Sequence, residues 1–451
     1  MSSLLGEYIY KNEWFCIMKQ NLVTGTIILT ISSLLCRFIG FFYRIFLSHT
    51  IGAEGMGIFQ LVLPLYNLAL ALTAAGIQTA LSRLIAAAFA RGQKAKAVMT
   101  FFSGTIMAFV LSLLLSVLIR SNASFLGLEY LKESRCISLL QIISFALPFS
   151  ALHACINGWF FGTKKIKIPA IIQSIEELVR LGSTYAIYYL FLKCNMEITP
   201  MIAVFGLLSS ELISVLISFF CLWKRDTFTL VSTRIADYIM EGKEIIKTGF
   251  PLTMNRLLLN VLHSIEAVLI PFCLHKGTMD TTKALETFGT VTGMSLPLVL
   301  FPTAIINAMS TILLPTVSEK QACQNRNFIV KLVSKTTWYS FLIGILFALF
   351  FFLLGNPVGT FIYKSSEAGF YIKSLSLICP FLFINITLAS VMNGLGKTHL
   401  CFTVNFVDMV IRIAAIYFLV PSIQIPGYIF GLVGGEFICS ILSIFIIMRI
   451  L

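Results

Sequence analysis

Residues 26–44 read TIILTISSLLCRFIGFFYR. The stretch is apolar enough to cross a bilayer, yet it carries Arg37 and Arg44. Among its small or polar residues are Thr26, Thr30, Ser33, Arg37, Gly40 and Arg44. Steps of four and three residues alternate between them, so on a helix they form one stripe. A cation at mid-bilayer costs about 2.5–3.5 kcal/mol on insertion scales. Such a stripe must therefore face protein or a water-filled cavity, and two guanidinium groups in that cavity suit an anionic cargo.

The rest of the chain has the same character. Of 451 residues 58% are hydrophobic and 12% charged, which excludes a soluble domain of this size. Apolar runs of about 20 residues each match the ~30 Å hydrocarbon core. They predict an all-α polytopic membrane protein with twelve spans, at 22–48, 57–82, 97–119, 136–160, 168–192, 199–223, 246–274, 287–316, 333–355, 371–394, 399–421 and 427–449. Residues 1–17 lack the pattern of a signal peptide, and a second candidate start at Met18 makes them an expected dispensable segment. The 11 cysteines lie mostly inside apolar runs without metal-ligand spacing, so they read as packing residues.

Placing both termini in the cytoplasm puts 19 of the 33 Lys and Arg on inside segments and 8 on outside ones. That asymmetry satisfies the positive-inside rule and explains the net charge of +13 without nucleic acid. The remaining six are all arginines within or at the edge of spans: Arg37, Arg44, Arg83, Arg180, Arg256 and Arg412. Arginine differs from lysine in offering a planar fork that matches phosphate.

The chain also repeats itself. Residues 205–211, FGLLSSE, match 430–436, FGLVGGE. Asn157-Gly158 at the end of the fourth span matches Asn393-Gly394 at the end of the tenth, and each precedes a short basic turn. Glu176/Arg180 on the fifth span correspond to Asp408/Arg412 on the eleventh, both acid–arginine pairs at i, i+4. The expected organisation is a cytoplasmic tail at 1–21, a six-helix lobe at 22–223, a cytoplasmic linker at 224–245 and a second lobe at 246–451. An even number of spans per copy makes the repeats parallel, related by an axis along the membrane normal.

Six acids lie within spans: Glu176, Glu177, Glu211, Glu266, Asp408 and Glu436. The repeat-related acid–arginine pairs read as structural. Glu211 and Glu436 follow small-residue pairs where helices approach closely, and read as interlobe hydrogen-bond partners or protonation sites. His263 and Glu266, one turn apart, form a candidate proton or cation site. Arg37, Arg44 and Arg256 have no acid three or four residues away, and the Arg256 face continues through Asn260 and His263. These three read as cavity-lining; the rival is pairing with acids on other helices or snorkelling to the interface, which suits Arg44 best. Arg83, closing the second span, suits the cavity or a cytoplasmic anchor equally. Pro64, Gly76, Pro148, Pro251, Pro297, Pro302 and Pro380 are expected kink positions. Residues 393–398, NGLGKT, end like a phosphate-binding loop, but Val391 stands where its first glycine belongs and no strand precedes it. No catalytic motif or soluble catalytic face is present, so an enzyme is not expected, and neither is a cofactor beyond a coupling cation of unassigned identity.

Within residues 37–84 the segments RFIG, YRIFLS, IGAEGMGIFQLV, AGI and ALSRL resemble the stage V sporulation protein B-like branch of polysaccharide-biosynthesis flippases. These belong to the multidrug/oligosaccharidyl-lipid/polysaccharide (MOP) exporter superfamily, with the lipid II flippase. The resemblance implies two lobes in a V around a cationic cavity, in a bacterial plasma membrane. It implies a cargo of undecaprenyl-pyrophosphate-linked sugars, such as peptidoglycan, cell-wall or sporulation precursors, with cell-wall synthases as candidate partners. It also implies that arginines on the first span, around the second and on the seventh serve the pyrophosphate. Arg37 matches that pattern directly, Arg44 is displaced by one with Tyr43 in its place, Arg256 matches by span and Arg83 loosely. Many relatives carry fourteen spans, against twelve expected here. Two rival readings are a cation-coupled multidrug antiporter, which calls for an acidic cavity, and a non-transporting scaffold for cell-wall synthesis.

Overall fold

The computed structural model describes residues 2–225, 235–277 and 279–451, with side chains from Ile28 onward apart from 225, 235, 236, 251, 252 and 255. Part of the expected linker (226–234), the Thr26 end of the stripe and the side chains of 1–17 lie outside the described residues. Among the described residues there is no β-strand. The helices are α1 (Ser2–Leu70), α2 (Gly76–Ala90), α3 (Lys94–Ser121), α4 (Ala123–Phe125), α5 (Cys136–Ile143), α6 (Ala146–Gly162), α7 (Lys167–Lys193), α8 (Met201–Arg225) and α9 (Ile235–Lys276). They continue with α10 (Thr281–Phe288), α11 (Leu296–Leu300), α12 (Thr303–Ala322), α13 (Arg326–Tyr363), α14 (Ser366–Leu375), α15 (Cys379–Gly394), α16 (Thr398–Ile423) and α17 (Ile425–Ile450).

Every apolar run lies in helix, and the interruptions have local causes. α1 folds back at Gly52, whose φ of 68° is in the left-handed region that glycine reaches without a Cβ clash. It therefore has two limbs, one before and one after Gly52. A π-helical turn, Ala71–Ala75, joins the second limb to α2. α5 and α6 meet at 41°, two residues before Pro148, and the segment Thr281–Leu300 meets α12 at 52° at Pro302. Proline removes a helical donor, so both bends fall where expected. By length and apolarity eight described helices suffice to cross a membrane, or ten if each bent pair is one span. The expected count of twelve is not reached by that measure. The first two runs merge into one stretch, Ile28–Ala90, and α7 carries Glu176, Glu177 and Arg180.

The repeat is visible in the packing. Gly158 lets α6 lie on α2, where an added Cβ would come 2.9 Å from the Gln78 carbonyl; Gly394 lets α15 lie on α12, 2.9 Å from the Leu314 carbonyl. Gly206 and Gly431, both from the repeated Phe-Gly, sit against the Arg180 and Arg412 carbonyls.

The second limb of α1 and α2 also bind the later helices. Near the Gly52 turn, Gly57 and Gly289 touch backbone to backbone, Gly57 against the Leu285 carbonyl and Gly289 against the Ala53 carbonyl. Some 19 positions along, Gly76 and Gly249 bring α2 and α9 together less closely, with Thr253 packed on Gly76. Beyond them Lys96 pairs with Glu241 (3.4 Å) and Glu244 (3.3 Å), and Thr100 donates to Glu241 at 2.7 Å. At the Gly52 turn Arg135 bridges Glu54 (2.8 Å) and Glu133 (2.9 Å). Burial opposes the Glu133 charge, but the Arg135 side chain and amide outweigh it and hold the carboxyl below its usual range.

Gly57→Val and Gly289→Val are expected to destabilise the protein by about 1–3 kcal/mol through overpacking. Thermal unfolding in detergent should show a clear fall in midpoint for both. Gly182→Ala, where nothing lies within 4 Å of the added carbon, should leave the midpoint unchanged.

Candidate functional site

The stripe on the first limb of α1 faces inward. Arg37, Gly40 and Arg44 line a cavity of about 410 Å³ with Gln60, Thr292, Leu296 and Phe301. Arg44 and Gln60 also line an adjoining cavity of about 620 Å³, walled by Asn67, Asn260, His263, Glu266, Arg412 and Glu436 among others. Arg37 donates to Thr303 Oγ1 at 2.6 Å, at the bend before α12. Thr30 meets Thr311 at 3.3 Å two turns earlier. Among the described residues no carboxylate lies within ion-pair distance of Arg37 or Arg44. Arg44 lines both cavities.

The other two arginines sit apart from these walls. Arg256 is exposed and donates to the Ala75 carbonyl at 3.3 Å, at the end of the π turn. Asn260, one turn on, donates back to the Arg256 carbonyl and lines the larger cavity. Arg83 is exposed on α2.

The remaining charges gather into two clusters of the same composition. In the later half, Arg412 meets Glu266 at 2.8 Å and Asp408 at 3.3 Å, and Glu266 meets His263 Nδ1 at 3.5 Å. Glu436 accepts from Asn385 Nδ2 at 2.6 Å. The expected i, i+4 pair on α16 thus reaches across to α9, and Glu266 is committed to a guanidinium. In the earlier half, Arg180 meets Glu176 at 2.6 Å and Glu177 at 3.0 Å, and donates to Ser210 at 3.3 Å. Glu211 accepts from the Tyr66 hydroxyl at 3.3 Å. His153 Nδ1 lies 3.6 Å from Glu176 and 3.8 Å from Glu211. Each cluster holds three carboxylates, one arginine and one histidine.

Sequence reasoning missed His153, Tyr66, Gln60 and Asn67. His153 has no charged neighbour within one turn on its own helix. Its only sequence signal is a histidine in an otherwise apolar run.

Three comparisons bear on this geometry. A family model described as "Polysaccharide biosynthesis protein" matches residues 22–321. The chain is 24% identical over 439 residues to stage V sporulation protein B of Bacillus subtilis (strain 168), covering 96% of this chain and 85% of that one. Among solved structures it resembles an inward-facing multidrug resistance MATE family transporter of the MOP superfamily, at TM-score 0.72, 17% identity and 94% coverage of both chains. It equally resembles the lipid II flippase MurJ in an inward closed conformation, at TM-score 0.72 and 16% identity, covering 94% of this chain and 87% of that one. The fold is that of the MOP superfamily, and the all-helical membrane architecture follows with it.

Removing Arg412 leaves two buried carboxylates without their guanidinium. Arg412→Met is expected to cost about 3–5 kcal/mol, and Arg412→Met with Glu266→Leu to recover a large part of it. Equal thermal midpoints for the single and double variants would show that the Arg412–Glu266 contact does not hold α9 to α16.

Proposed function

The chain belongs to the polysaccharide biosynthesis protein family, and from that premise we propose that it flips a lipid-linked anionic glycan across the bacterial plasma membrane. The coarser statement, a transporter or flippase of the MOP superfamily rather than an enzyme, follows from its family and its relatives. The observation that carries the finer reading is the pair of unneutralised guanidinium groups, Arg37 and Arg44, in one cavity. On a helix they stand about 10 Å apart along the axis. A diphosphate headgroup supplies the countercharge that the protein withholds, through forked charge-assisted hydrogen bonds. The headgroup docks on Arg37 and Arg44, with Gln60 and Asn67 as neutral donors for sugar hydroxyls, while the polyprenyl tail stays in lipid. Undecaprenyl-pyrophosphate-linked oligosaccharides or peptidoglycan precursors fit this chemistry.

Access alternates as the half before the 224–245 segment rocks against the half after it, with both termini in the cytoplasm. In this reading the Gly57–Gly289 and Gly76–Gly249 contacts are the seals, and each half-cycle parts one of them. Arg256, beside the second seal, meets the headgroup when α2 and α9 separate. His263, Glu266 and Glu436 border the same cavity, and Glu211 belongs to the opposite cluster; a coupling ion or proton at Glu266 or Glu436 has to displace the Arg412 or Asn385 contact. The carboxylates do not support a drug/cation antiporter, because Arg412 and Asn385 already engage those that face the cavity.

The test is translocation of a fluorescent undecaprenyl-pyrophosphate oligosaccharide in proteoliposomes at matched, folded protein levels. Arg44→Ala and Arg37→Ala are each expected to slow it at least about tenfold, the loss of one charge-assisted hydrogen bond. Arg44→Lys, which keeps the charge but not the fork, should fall between. Normal rates in both alanine variants sink the headgroup mechanism. Exchange of amphiphilic cations without lipid movement transfers the case to the antiporter.

A further inference from the structure

We infer that the smaller cavity holds the sugar carried directly on the diphosphate, and that Phe41 and Phe301 are its specificity-determining residues. The inference rests on the headgroup reading above and adds which part of the cargo this cavity recognises.

The first support is position. Arg37, Gly40, Phe41 and Arg44 follow at steps of three, one and three residues, so on a helix they share one face. Phe41 stands about 6 Å along the axis from Arg37 and about 4.5 Å from Arg44. All four line the cavity of about 410 Å³, and Phe301 joins them from the bend before α12. A group bonded to a diphosphate that both guanidinium groups hold therefore comes against the Phe41–Phe301 pair. The floor between the arginines is open, because a carbon added at Gly40 would meet nothing within 4 Å.

The second support is chemistry. A pyranose presents C–H groups on one face and hydroxyls around its edge. Aromatic faces are negative and attract such C–H groups, so Phe41 and Phe301 suit the first. Gln60 and Thr292, in the same wall, suit the second. Thr292 donates to the Phe288 carbonyl at 2.7 Å, which leaves its oxygen to accept from a sugar hydroxyl. Rings set among a few placed polar groups are the general lining of a small-molecule pocket. Among the described residues no carboxylate lines this cavity to compete for the arginines.

The third support is that the rings are already in place. Phe41 and Phe301 lie 5.5 Å apart and are tilted by 45°, so they form a corner and do not cover each other's faces. Phe42 packs edge-on against Phe41 at 5.8 Å, and Phe38 reaches Phe301 at 6.4 Å. Phe38 and Phe42 lie about 100° and 140° round the helix from Arg37, and both are exposed. That flank suits the isoprenoid, whereas the Phe41–Phe301 corner is set among polar groups that an isoprenoid does not use.

The experiment is equilibrium binding to the full chain in detergent, read by native mass spectrometry at matched folded protein. The probes are undecaprenyl diphosphate, bare and carrying a single glucose or galactose. Wild type should bind a glycosylated probe about fivefold more tightly than the bare one. Phe41→Leu and Phe301→Leu should each erase most of that gain and leave the affinity for the bare lipid unchanged. Gly40→Leu, which fills the floor between the arginines, should weaken all probes without lowering the thermal midpoint. Equal wild-type affinities for bare and glycosylated lipid overturn the inference and leave the headgroup reading in place. Equal losses of bare and glycosylated lipid in both phenylalanine variants assign the rings to the isoprenoid, and also overturn it. Wild-type affinities in Gly40→Leu overturn the placement in this cavity. Wild type that binds none of the probes is the separate result that sinks the headgroup reading, and this inference with it.

Discussion

A charge inside hydrocarbon has to be paired, hydrated or absent. Six arginines lie within or at the edges of the apolar runs and six acids within them, and the architecture follows from how each meets that condition. Arg180 and Arg412 are paired, each to two carboxylates. Arg37 and Arg44 are not, and they open onto cavities. The difference separates structure from function more sharply than any motif does. A paired arginine holds helices together, while one without a carboxylate has to be hydrated or to meet a countercharge from outside the chain.

The two clusters show how a parallel repeat distributes such charges. Glu176 and Arg180 correspond to Asp408 and Arg412, and Glu211 to Glu436, by repeated sequence. The histidines do not correspond: His153 comes from α6, and His263 from α9. Nor do the third acids, Glu177 beside Glu176 and Glu266 across on α9. The same composition has been assembled from different positions. The consequence is asymmetry of access, since His263 is half-exposed and borders the central cavity while His153 is buried behind it.

Much of the fold was legible because hydropathy and helical period are local properties. The apolar runs, the inward stripe of Arg37, Gly40 and Arg44, and the bends near Pro148 and Pro302 all depend on residues close in sequence. The site was legible only where its chemistry was local. Arg37 and Arg44 were visible because no acid stood within a turn of either. The Arg412–Glu266 contact was not, since its partners are 146 positions apart. Arg256 sits at the carbonyl of Ala75, at the end of a π turn whose sequence, ALTAA, announces nothing.

The glycine contacts set the terms on which these charges can work. Backbone-to-backbone approach at Gly57–Gly289, and a glycine contact at Gly76–Gly249 that also admits Thr253 and Ala80, give close dispersion contact with little side-chain interdigitation. Such surfaces part without unthreading a packed core, unlike the interlocked side chains within each half. The limb between the two contacts carries Gln60 and Asn67 toward the cavity and Tyr66 toward the earlier cluster. One segment thus borders the unpaired cations on one face and the Arg180 cluster on the other, so a countercharge arriving on the first side acts on a helix that the second also holds.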